Sequence, residues 1–324
     1  MRAEREDDTR RGKEATRRDA TSAKALVARF DISEPIDLRL TLEPLGHGSA
    51  DPTIRFGTDE VWLARRTDSG PATVRIFAEA GRTAIGAQSW GPGALAALDA
   101  VPGLAGLLDD PTPLVAHHPL IRELQRRRLG LRLPRTDQLL PALIAAVTEQ
   151  KVTAVEAHRV YAALVKRLGE AAPGPGGLLV PPAADAVATL PYFEFHPMGL
   201  ERRRAEVLRH IGRREAELVE LLRMSPAEAR NRLTAWPGLG PWTAAEATRA
   251  AFGDPDAVSL GDAHLPDLIS WALAGEPRSN DVRMLELLAP YEGQRGRVIR
   301  LIQTSGIKIP RFGPRFAPRR IERL

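Results

Sequence analysis

A short glycine-containing turn between two helix starts is the sequence feature that most constrains this chain. The segment Ser225–Glu228 has the pattern of a capping box, with proline at the first helical position, and Pro241 begins a second helix. Between them, the Pro-Gly-Leu-Gly sequence of Pro237–Gly240 ends the first helix. Glycine permits a positive φ, so the turn leaves backbone N–H groups facing outward at a helix start. Such a hairpin provides a phosphate-binding site that needs no surface charge.

The composition excludes several other kinds of site. The chain has 324 residues, of which 43% are hydrophobic, and it has no cysteine. Disulfides, thiol nucleophiles, thiolate zinc sites and iron–sulfur clusters are therefore excluded. No apolar run approaches the roughly 20 residues of a membrane span, and the polar N-terminus does not have the pattern of a secretory signal. We therefore expect a cytoplasmic protein without a membrane partner.

The basic residues are concentrated at the two ends of the chain. Residues 1–29 and 308–324 carry net charges of +3 and +5, and the whole chain carries +5, so residues 30–307 carry −3. Bulk charge therefore does not identify the body of the chain as a nucleic-acid-binding domain. The basic ends would add only salt-dependent, non-specific affinity for DNA.

The order of the sequence patterns predicts an α+β fold, in which a small N-terminal antiparallel β-sheet domain precedes a large all-α domain. Alternating apolar and polar residues predict strands at 36–42, 60–63 and 72–77. Helical spacing of alanine and leucine begins at about residue 92 and continues through most of the remaining chain.

These patterns divide the chain into four predicted parts. They are a disordered arm of mixed charge at 1–30, a β-rich domain at 31–115, a helical domain at 116–305 and a basic tail at 306–324.

Two segments of the helical domain resemble one known superfamily. The hairpin segment Leu233–Ala244, and the segment Ala257–Leu265 that contains an aspartate after a glycine, are similar to the two landmarks of the helix-hairpin-helix DNA glycosylase superfamily. The Trp-Thr-Ala sequence that begins at Trp242 is similar to the form found in bacterial 3-methyladenine DNA glycosylase II, which is the nearest branch. The segments Arg128–Pro134 and Ala145–Thr153 also resemble that branch, and the likeness covers roughly residues 35–305 in order.

This resemblance implies a function. It implies a monofunctional DNA glycosylase of base excision repair, which flips an alkylated purine of the 3-methyladenine type out of double-stranded DNA. Hydrolysis of the N-glycosidic bond would leave an abasic site. It also implies a bacterial, nucleoid-associated protein that acts as a monomer and requires no cofactor.

Asp262 is the predicted catalytic residue. Pro266 lacks an N–H and fits only the first turn of a helix, so Asp262 lies at or just before a helix start. One interpretation is a helix cap; the other is a catalytic carboxylate that faces a sugar developing oxocarbenium charge. The two roles are compatible, and the spacing from the hairpin favours the catalytic one.

Three residues are predicted to form the base pocket. Trp242 stands where lyase-competent members of the superfamily carry their Schiff-base lysine, which implies that lyase activity is absent. The tryptophan is either an aromatic platform for the flipped base or a core residue. Tyr291 is a second aromatic candidate. Glu246 replaces an aromatic residue of the related branch, and Ala263 replaces another, so the range of lesions is left open.

Further residues are predicted to contact DNA or a cation. The candidate DNA contacts are Gly238, Gly240, Thr243, Gln150, Lys151 and Arg295. Lys151 stands in place of an apolar wedge, and its alternative is a solvated surface lysine. The resemblance also implies a structural monovalent cation at the hairpin, held by the main-chain carbonyls of Thr234, Trp236 and Leu239.

Two alternatives to this function remain at the level of sequence. The first is a non-catalytic helix-hairpin-helix protein that binds DNA, for which the altered wedge and pocket would be the reason. The second is a glycosylase for a different, bulkier lesion, because Ala263 leaves a roomier pocket. The presence of Asp262 favours an enzyme.

Overall fold

The computed structural model describes residues 24–81 and 83–310. Residues 1–23 of the predicted arm at 1–30, and residues 311–324 of the predicted basic tail at 306–324, lie outside the described residues. Within the described residues, no helix is long and apolar enough to cross a membrane.

The N-terminal part is built on a five-stranded antiparallel sheet. Its strands are β1 (Leu26–Asp31), β2 (Ile54–Phe56), β3 (Glu60–Thr67), β4 (Gly70–Ala78) and β5 (Ala84–Trp90), in the spatial order β1-β5-β4-β3-β2. Strands β3 and β4 form a tight hairpin in which Glu60 pairs with Phe77 and Thr67 with Gly70. The fully buried Val74 lies on the central strand. The predicted strands at 60–63 and 72–77 are therefore confirmed.

Two sequence expectations in this part are wrong. Residues 26–30, which the sequence places in the disordered arm, belong to β1 and pair with β5. Their order depends on a partner strand nearly 60 positions away, which local composition does not report. The predicted strand at 36–42 is instead a short helix, α1 (Leu38–Leu42), because the Asp37 carboxylate accepts the Leu40 N–H at 2.9 Å and caps it.

The remainder is helical, apart from a two-stranded ribbon of β6 (Glu170–Ala171) and β7 (Leu179–Val180). The helices after α1 are α2 (Ala94–Asp99), α3 (Val101–Leu104), α4 (Pro119–Arg127), α5 (Leu139–Thr148), α6 (Ala154–Leu168), α7 (Ala184–Thr189), α8 (Tyr192–Phe195), α9 (Arg202–Gly212), α10 (Glu215–Leu221), α11 (Pro226–Thr234), α12 (Pro241–Phe252), α13 (Leu265–Ala274), α14 (Asp281–Leu288) and α15 (Arg295–Gln303). The sheet and these helices confirm the α+β fold.

Three large hydrophobic cores organise these elements in the described part of the chain, beside a small fourth cluster around Val180. One core joins the sheet to α1, α2 and α3. A second lies among α5 to α12. A third joins α4 to α13, α14 and α15, and therefore combines residues near 120 with residues near 290. The helical region thus contains two cores, and α12 on one side faces α13 and α15 on the other.

A buried ion pair connects α15 to the segment that follows α3. The Asp109 carboxylate accepts hydrogen bonds from Arg297 Nη2 at 2.6 Å and Nη1 at 2.8 Å, and also from the Leu133 N–H at 3.0 Å. The two charged side chains are only 7% and 3% exposed. This bidentate arrangement satisfies both charges and fixes α15 in position.

We expect Asp109→Asn to lower the free energy of unfolding by about 3–5 kcal/mol, because it leaves the Arg297 guanidinium buried without its counter-charge. Urea denaturation followed by circular dichroism measures the change. The exposed neighbour Asp110 provides the matched control, and Asp110→Asn should produce a much smaller change. Equal losses in the two variants would contradict a role specific to the buried pair.

Candidate active site

The hairpin between α11 and α12 depends on one glycine more than on the other. Gly238 has φ = +85°, and a Cβ added there would lie 2.2 Å from Val207 Cγ2 on α9. Gly240 has φ = −86° and open space where a Cβ would be, so the expected positive φ holds only for Gly238. The turn closes with the Leu239 N–H donating to the Trp236 carbonyl at 3.0 Å. Helix α12 then starts at Pro241.

Gln150 and Thr243 lie together against this hairpin. Gln150 Nε2 donates to the Gly238 carbonyl at 3.0 Å and to Thr243 Oγ1 at 2.8 Å. Thr243 is buried, with 2% exposure. In this structure the two side chains connect the end of α5 to the hairpin, and the DNA contacts expected of them stay a prediction.

Lys151 directly follows Gln150 and has an unusual backbone conformation. Its φ is +56°, and it is one of two described non-glycine residues with a positive φ. Its side chain is exposed. Holding a non-glycine residue in this region costs on the order of 1 kcal/mol. The surrounding turn therefore fixes the backbone conformation from which this exposed side chain extends.

Asp262 is held by donors from two helices. Its Oδ1 accepts the backbone N–H groups of His264 and Leu265, each at 2.8 Å, at the start of α13. Its Oδ2 accepts Trp242 Nε1 from α12 at 2.9 Å. One oxygen of the carboxylate therefore caps the start of α13, while the other is held by the indole of Trp242. The positive end of a helix favours the negative charge placed there.

Trp242 is thereby a positioning residue for Asp262. It is partly exposed, and its indole edge binds the carboxylate. It is not among the residues that line the cavity beside Asp262. The structure thus does not place its ring as a wall of that cavity, which was one of the two sequence interpretations.

A cavity of about 160 Å³ opens beside the Asp262 carboxylate, between α12 on one side and α13 and α15 on the other. We call it the Asp262 cavity. Its polar lining residues are Glu246, Arg249, Ser259, Asp262, His264, Arg300 and Gln303, and its apolar ones are Ala257, Leu265, Leu268, Gly296, Ile299 and Ile309. Among the residues that the structure describes, no aromatic side chain except the imidazole of His264 and no lysine lines it.

Glu246 is fully engaged within the Asp262 cavity. One carboxylate oxygen accepts the Ser259 hydroxyl, and the other accepts Arg249 Nη2. Burial alone would lower the pKa of Arg249, but the charge and hydrogen bond of Glu246 outweigh it and raise the pKa. This glutamate therefore neutralises an arginine, and its charge is already balanced by a protein partner.

Arg300 brings a second guanidinium to the same cavity. Its Nη2 donates to the Leu40 carbonyl at 2.8 Å and to Glu43 Oε2 at 3.2 Å. Its Nε has no hydrogen-bond partner among the residues that the structure describes. Burial lowers the pKa of Arg300, the Glu43 carboxylate opposes this, and the nearby charge of Arg249 lowers it further. The two arginines are thus close enough to interact.

Two predicted site residues lie elsewhere. Tyr291 is 2% exposed and belongs to the core of α4 and α13 to α15, where its hydroxyl accepts the His118 N–H at 2.9 Å. It does not line the Asp262 cavity, so the predicted pocket role is wrong for this structure. Arg295 binds Asp256, with Nε to Oδ1 at 2.8 Å, and this pairing raises the pKa of Arg295. Its charge is therefore already compensated.

The predicted cation ligands lie on the hairpin, as their sequence positions require. The Trp236 carbonyl accepts the Leu239 N–H and keeps a second lone pair, and carbonyl oxygen is the donor type that a hard cation prefers. The donor chemistry fits a monovalent cation, and the cation itself stays a prediction.

Sequence reasoning missed Arg249, Ser259, Arg300 and Gln303 as cavity residues. Arg249 could have been predicted from the sequence, since it lies on the same face of α12 as Glu246, at the i, i+3 spacing. Arg300 comes from α15, and no local pattern indicates that this helix packs beside α12.

Comparison with solved structures shows what this fold is similar to. The 3-methyladenine DNA glycosylase from Archaeoglobus fulgidus aligns with a TM-score of 0.71 at 20% identity, over 85% of this chain and 97% of its own. MBOgg1 in complex with a low-affinity DNA ligand aligns at 0.67 and 14%, over 86% and 96%. The Clostridium acetobutylicum 8-oxoguanine glycosylase/lyase, in complex with double-stranded DNA containing cytosine opposite 8-oxoguanine, aligns at 0.65 and 11%, over 86% and 96%.

No family model and no curated protein matches the sequence. The structural likeness covers nearly the whole of each of these three proteins. The chain therefore has the fold of the helix-hairpin-helix DNA glycosylases, as the sequence resemblance predicted.

The hairpin provides a matched pair of variants. We expect Gly238→Ala to lower the free energy of unfolding by about 1–3 kcal/mol, because a non-glycine residue is strained at this φ and its Cβ meets Val207. We expect Gly240→Ala to change it by about 0.5 kcal/mol or less, because its backbone is compatible with alanine.

Thermal and urea denaturation of both proteins measure this difference. Adding Val207→Ala to Gly238→Ala should recover part of the loss, since it removes the methyl group that the new Cβ meets. Similar stabilities for the two single variants would show that Gly238 is not required by the turn.

Proposed function

We propose that this chain is a monofunctional DNA glycosylase that hydrolyses the N-glycosidic bond of a damaged base in double-stranded DNA. The observation that carries the proposal is the Asp262 carboxylate, held by three hydrogen bonds at the wall of a cavity of about 160 Å³. A hairpin suited to a phosphate precedes α12, the helix that supplies one of those three donors. The structural neighbours support the proposal through their shared fold.

The geometry suits the chemistry of glycosidic cleavage. When the bond between sugar and base breaks, the base leaves with the bonding electron pair and the sugar develops positive charge. A carboxylate fixed in advance stabilises that charge without reorganising. The oxygen of a water molecule then bonds to the sugar carbon. The proton that this water loses passes to the base where the base leaves as an anion, and to solvent where a cationic base leaves neutral. The product is an abasic site.

Water is the proposed nucleophile because no described residue that lines the cavity carries an amine to compete with it. Trp242 lies beside Asp262, and no lysine is among the residues lining the Asp262 cavity. A lyase reaction through a Schiff base requires such an amine. We therefore propose hydrolysis without strand cleavage.

An alkylated purine of the 3-methyladenine type is the lesion that the sequence resemblance implies, and it stays a prediction. A cationic base of this type is well recognised by electron-rich aromatic rings. Phenylalanine, tyrosine and tryptophan are missing from the described residues that line the Asp262 cavity, so the class of lesion is a separate question from the reaction itself.

We expect Asp262→Asn to keep binding to duplex DNA but to reduce the rate of base release by about 100-fold or more, because it removes the charge that stabilises the transition state. Abasic sites are counted with an aldehyde-reactive probe on damaged duplexes, and strand cleavage is scored separately without alkali.

Asp267→Asn is the matched control. Asp267 lies in the first turn of α13, and its carboxylate accepts the Ser279 N–H at 2.7 Å outside the Asp262 cavity. This variant should keep base release. Full activity of Asp262→Asn would overturn the proposed role, and binding without base release in the unaltered protein would favour the non-catalytic alternative.

We expect Trp242→Phe to lower kcat by about tenfold to a hundredfold while the KM for DNA stays nearly constant. The ring remains, but the hydrogen bond that orients the carboxylate is lost. Single-turnover kinetics measure the split between the two constants.

A double-mutant cycle tests whether the tryptophan acts through Asp262. Trp242→Phe should produce no further loss when Asp262 is already asparagine. An equal loss in both backgrounds would place the tryptophan in direct contact with substrate instead.

A further inference from the structure

We propose that Asp281, the first residue of α14, is a positioning residue that orients Asp262 by holding the loop in front of it. We call this loop, Ser259–Asp262, the Asp262 loop. The inference rests on the proposed glycosylase function. Asp281 is not among the residues that line the Asp262 cavity, so it acts through the loop.

The first observation is a direct contact between Asp281 and the Asp262 loop. Asp281 Oδ2 accepts the Gly261 backbone N–H at 2.8 Å, and Gly261 directly precedes Asp262 in the sequence. Hydrogen bonds from an N–H to a carboxylate are stronger than those between neutral groups. The start of α14 therefore fixes the peptide plane that leads into Gly261.

The second observation is the conformational freedom of Gly261. Its φ is +85°, and a Cβ added there would meet no described atom within 4 Å. Glycine adopts positive and negative φ about equally well. Neither the residue type nor a neighbouring side chain confines the backbone at this position, so the hydrogen bond to Asp281 supplies a restraint that the loop itself lacks.

The two ends of the Asp262 loop are held by other contacts. The Ser259 hydroxyl donates to Glu246 Oε1 on α12, and the Ser259 carbonyl accepts the Asp262 N–H at 3.3 Å. These bonds fix where the loop begins and where it closes. Gly261 lies between them, at the point where the backbone can still rotate, and Asp281 acts at that point.

The third observation is that α14 does not need Asp281 for its own start. The Asn280 side chain already caps this helix by accepting the Arg283 N–H at 3.0 Å. The second oxygen of Asp281, Oδ1, is buried and has no hydrogen-bond partner in the part of the chain that the structure describes. A buried polar atom without a partner costs free energy. The fold tolerates this cost at the residue whose other oxygen holds the Asp262 loop.

The fourth observation is that α14 is a fixed reference point for Asp262. Helices α13 and α14 share one hydrophobic core, and the Asp267 carboxylate on α13 accepts the Ser279 N–H just before α14 at 2.7 Å. Helix α13 also supplies the two backbone N–H groups that bind Asp262. A loop anchored on α14 therefore keeps the Asp262 carboxylate aligned with those donors and with the Trp242 indole.

The NMR signal of the Trp242 indole N–H tests this role in the full-length protein without any substrate. The chain has five tryptophans, and Trp242→Phe assigns the signal. We expect Asp281→Ala to move it upfield, because a misdirected Asp262 carboxylate weakens the hydrogen bond that it accepts from the indole. Asp281→Asn should leave the signal nearly in place, since its amide oxygen can still accept the Gly261 N–H. An unmoved signal in Asp281→Ala would overturn the inference.

Base release measures the consequence for the reaction, with methylated duplex DNA and a duplex carrying a single 8-oxoguanine as substrates. We expect Asp281→Ala to lower kcat by about fivefold to fiftyfold at a nearly constant KM, because it displaces the carboxylate and leaves the DNA contacts in place. Asp281→Asn should keep kcat within about twofold. If it is as slow as Asp281→Ala, the charge of Asp281 matters rather than its hydrogen bond, and the inference is overturned.

Asp267→Ala is the matched control. It removes a bond of the same kind, from a backbone N–H to a carboxylate, in the same pair of helices but away from the Asp262 loop. This variant should lower the melting temperature about as much as Asp281→Ala does, and it should keep both kcat and the position of the Trp242 signal. An equal loss of kcat in the two variants would show that Asp281 only stabilises the helix pair, which overturns the inference.

A double-mutant cycle separates the failure of this inference from that of the proposed function. Asp281→Ala should cause no further loss of base release when Asp262 is already asparagine, because the residue acts only through that carboxylate. Base release that depends on Asp262 but not on Asp281 would overturn this inference alone. Absence of base release from both substrates in the unaltered protein would overturn the glycosylase function and this inference with it.

Discussion

The site depends on a carboxylate whose orientation is set from two sides. The start of α13 supplies two backbone N–H groups to Asp262, and the indole of Trp242 on α12 supplies the third donor. These two helices belong to different hydrophobic cores. The carboxylate is therefore also a connection between the cores, and the cavity beside it exists because the two helices are held at a fixed separation. The Gly238 turn and the Asp109–Arg297 pair position α12 and α15 on either side.

Much of this architecture could be predicted from the sequence because it is local. The capping box at Ser225 and the prolines at Pro226 and Pro241 mark helix starts, and the structure has both helices. The alternation in β3 and β4 also reports a sheet with one buried face. The prediction for residues 36–42 was wrong because their apolar residues alternate as in a strand. The Asp37 cap is sufficient to start a helical turn there.

The site was predictable only where its residues share a local segment. Asp262, Trp242 and Glu246 lie within 21 positions of each other in the sequence, and the structure places all three near the cavity or in direct contact with it. Arg300 joins them through tertiary packing alone. Tyr291 does not, because its ring is buried in the core between α4 and α14. Charge counting could not locate the two arginines either, since residues 30–307 carry −3 overall while the Asp262 cavity brings two arginines together with two carboxylates.

The third core has a consequence for how the chain folds. Its members come from residues near 120 and from residues 258–302, so α4 cannot bury its apolar face until residues 258–302 have been synthesised. Contacts this distant in sequence form late, because a long loop must close before any of them contributes. The two cores on either side of the Asp262 cavity therefore mature at different times. A ribosome-bound intermediate would hold a finished hairpin and an unfinished site, with Ile121 and Leu124 exposed to chaperones until α13 to α15 arrive.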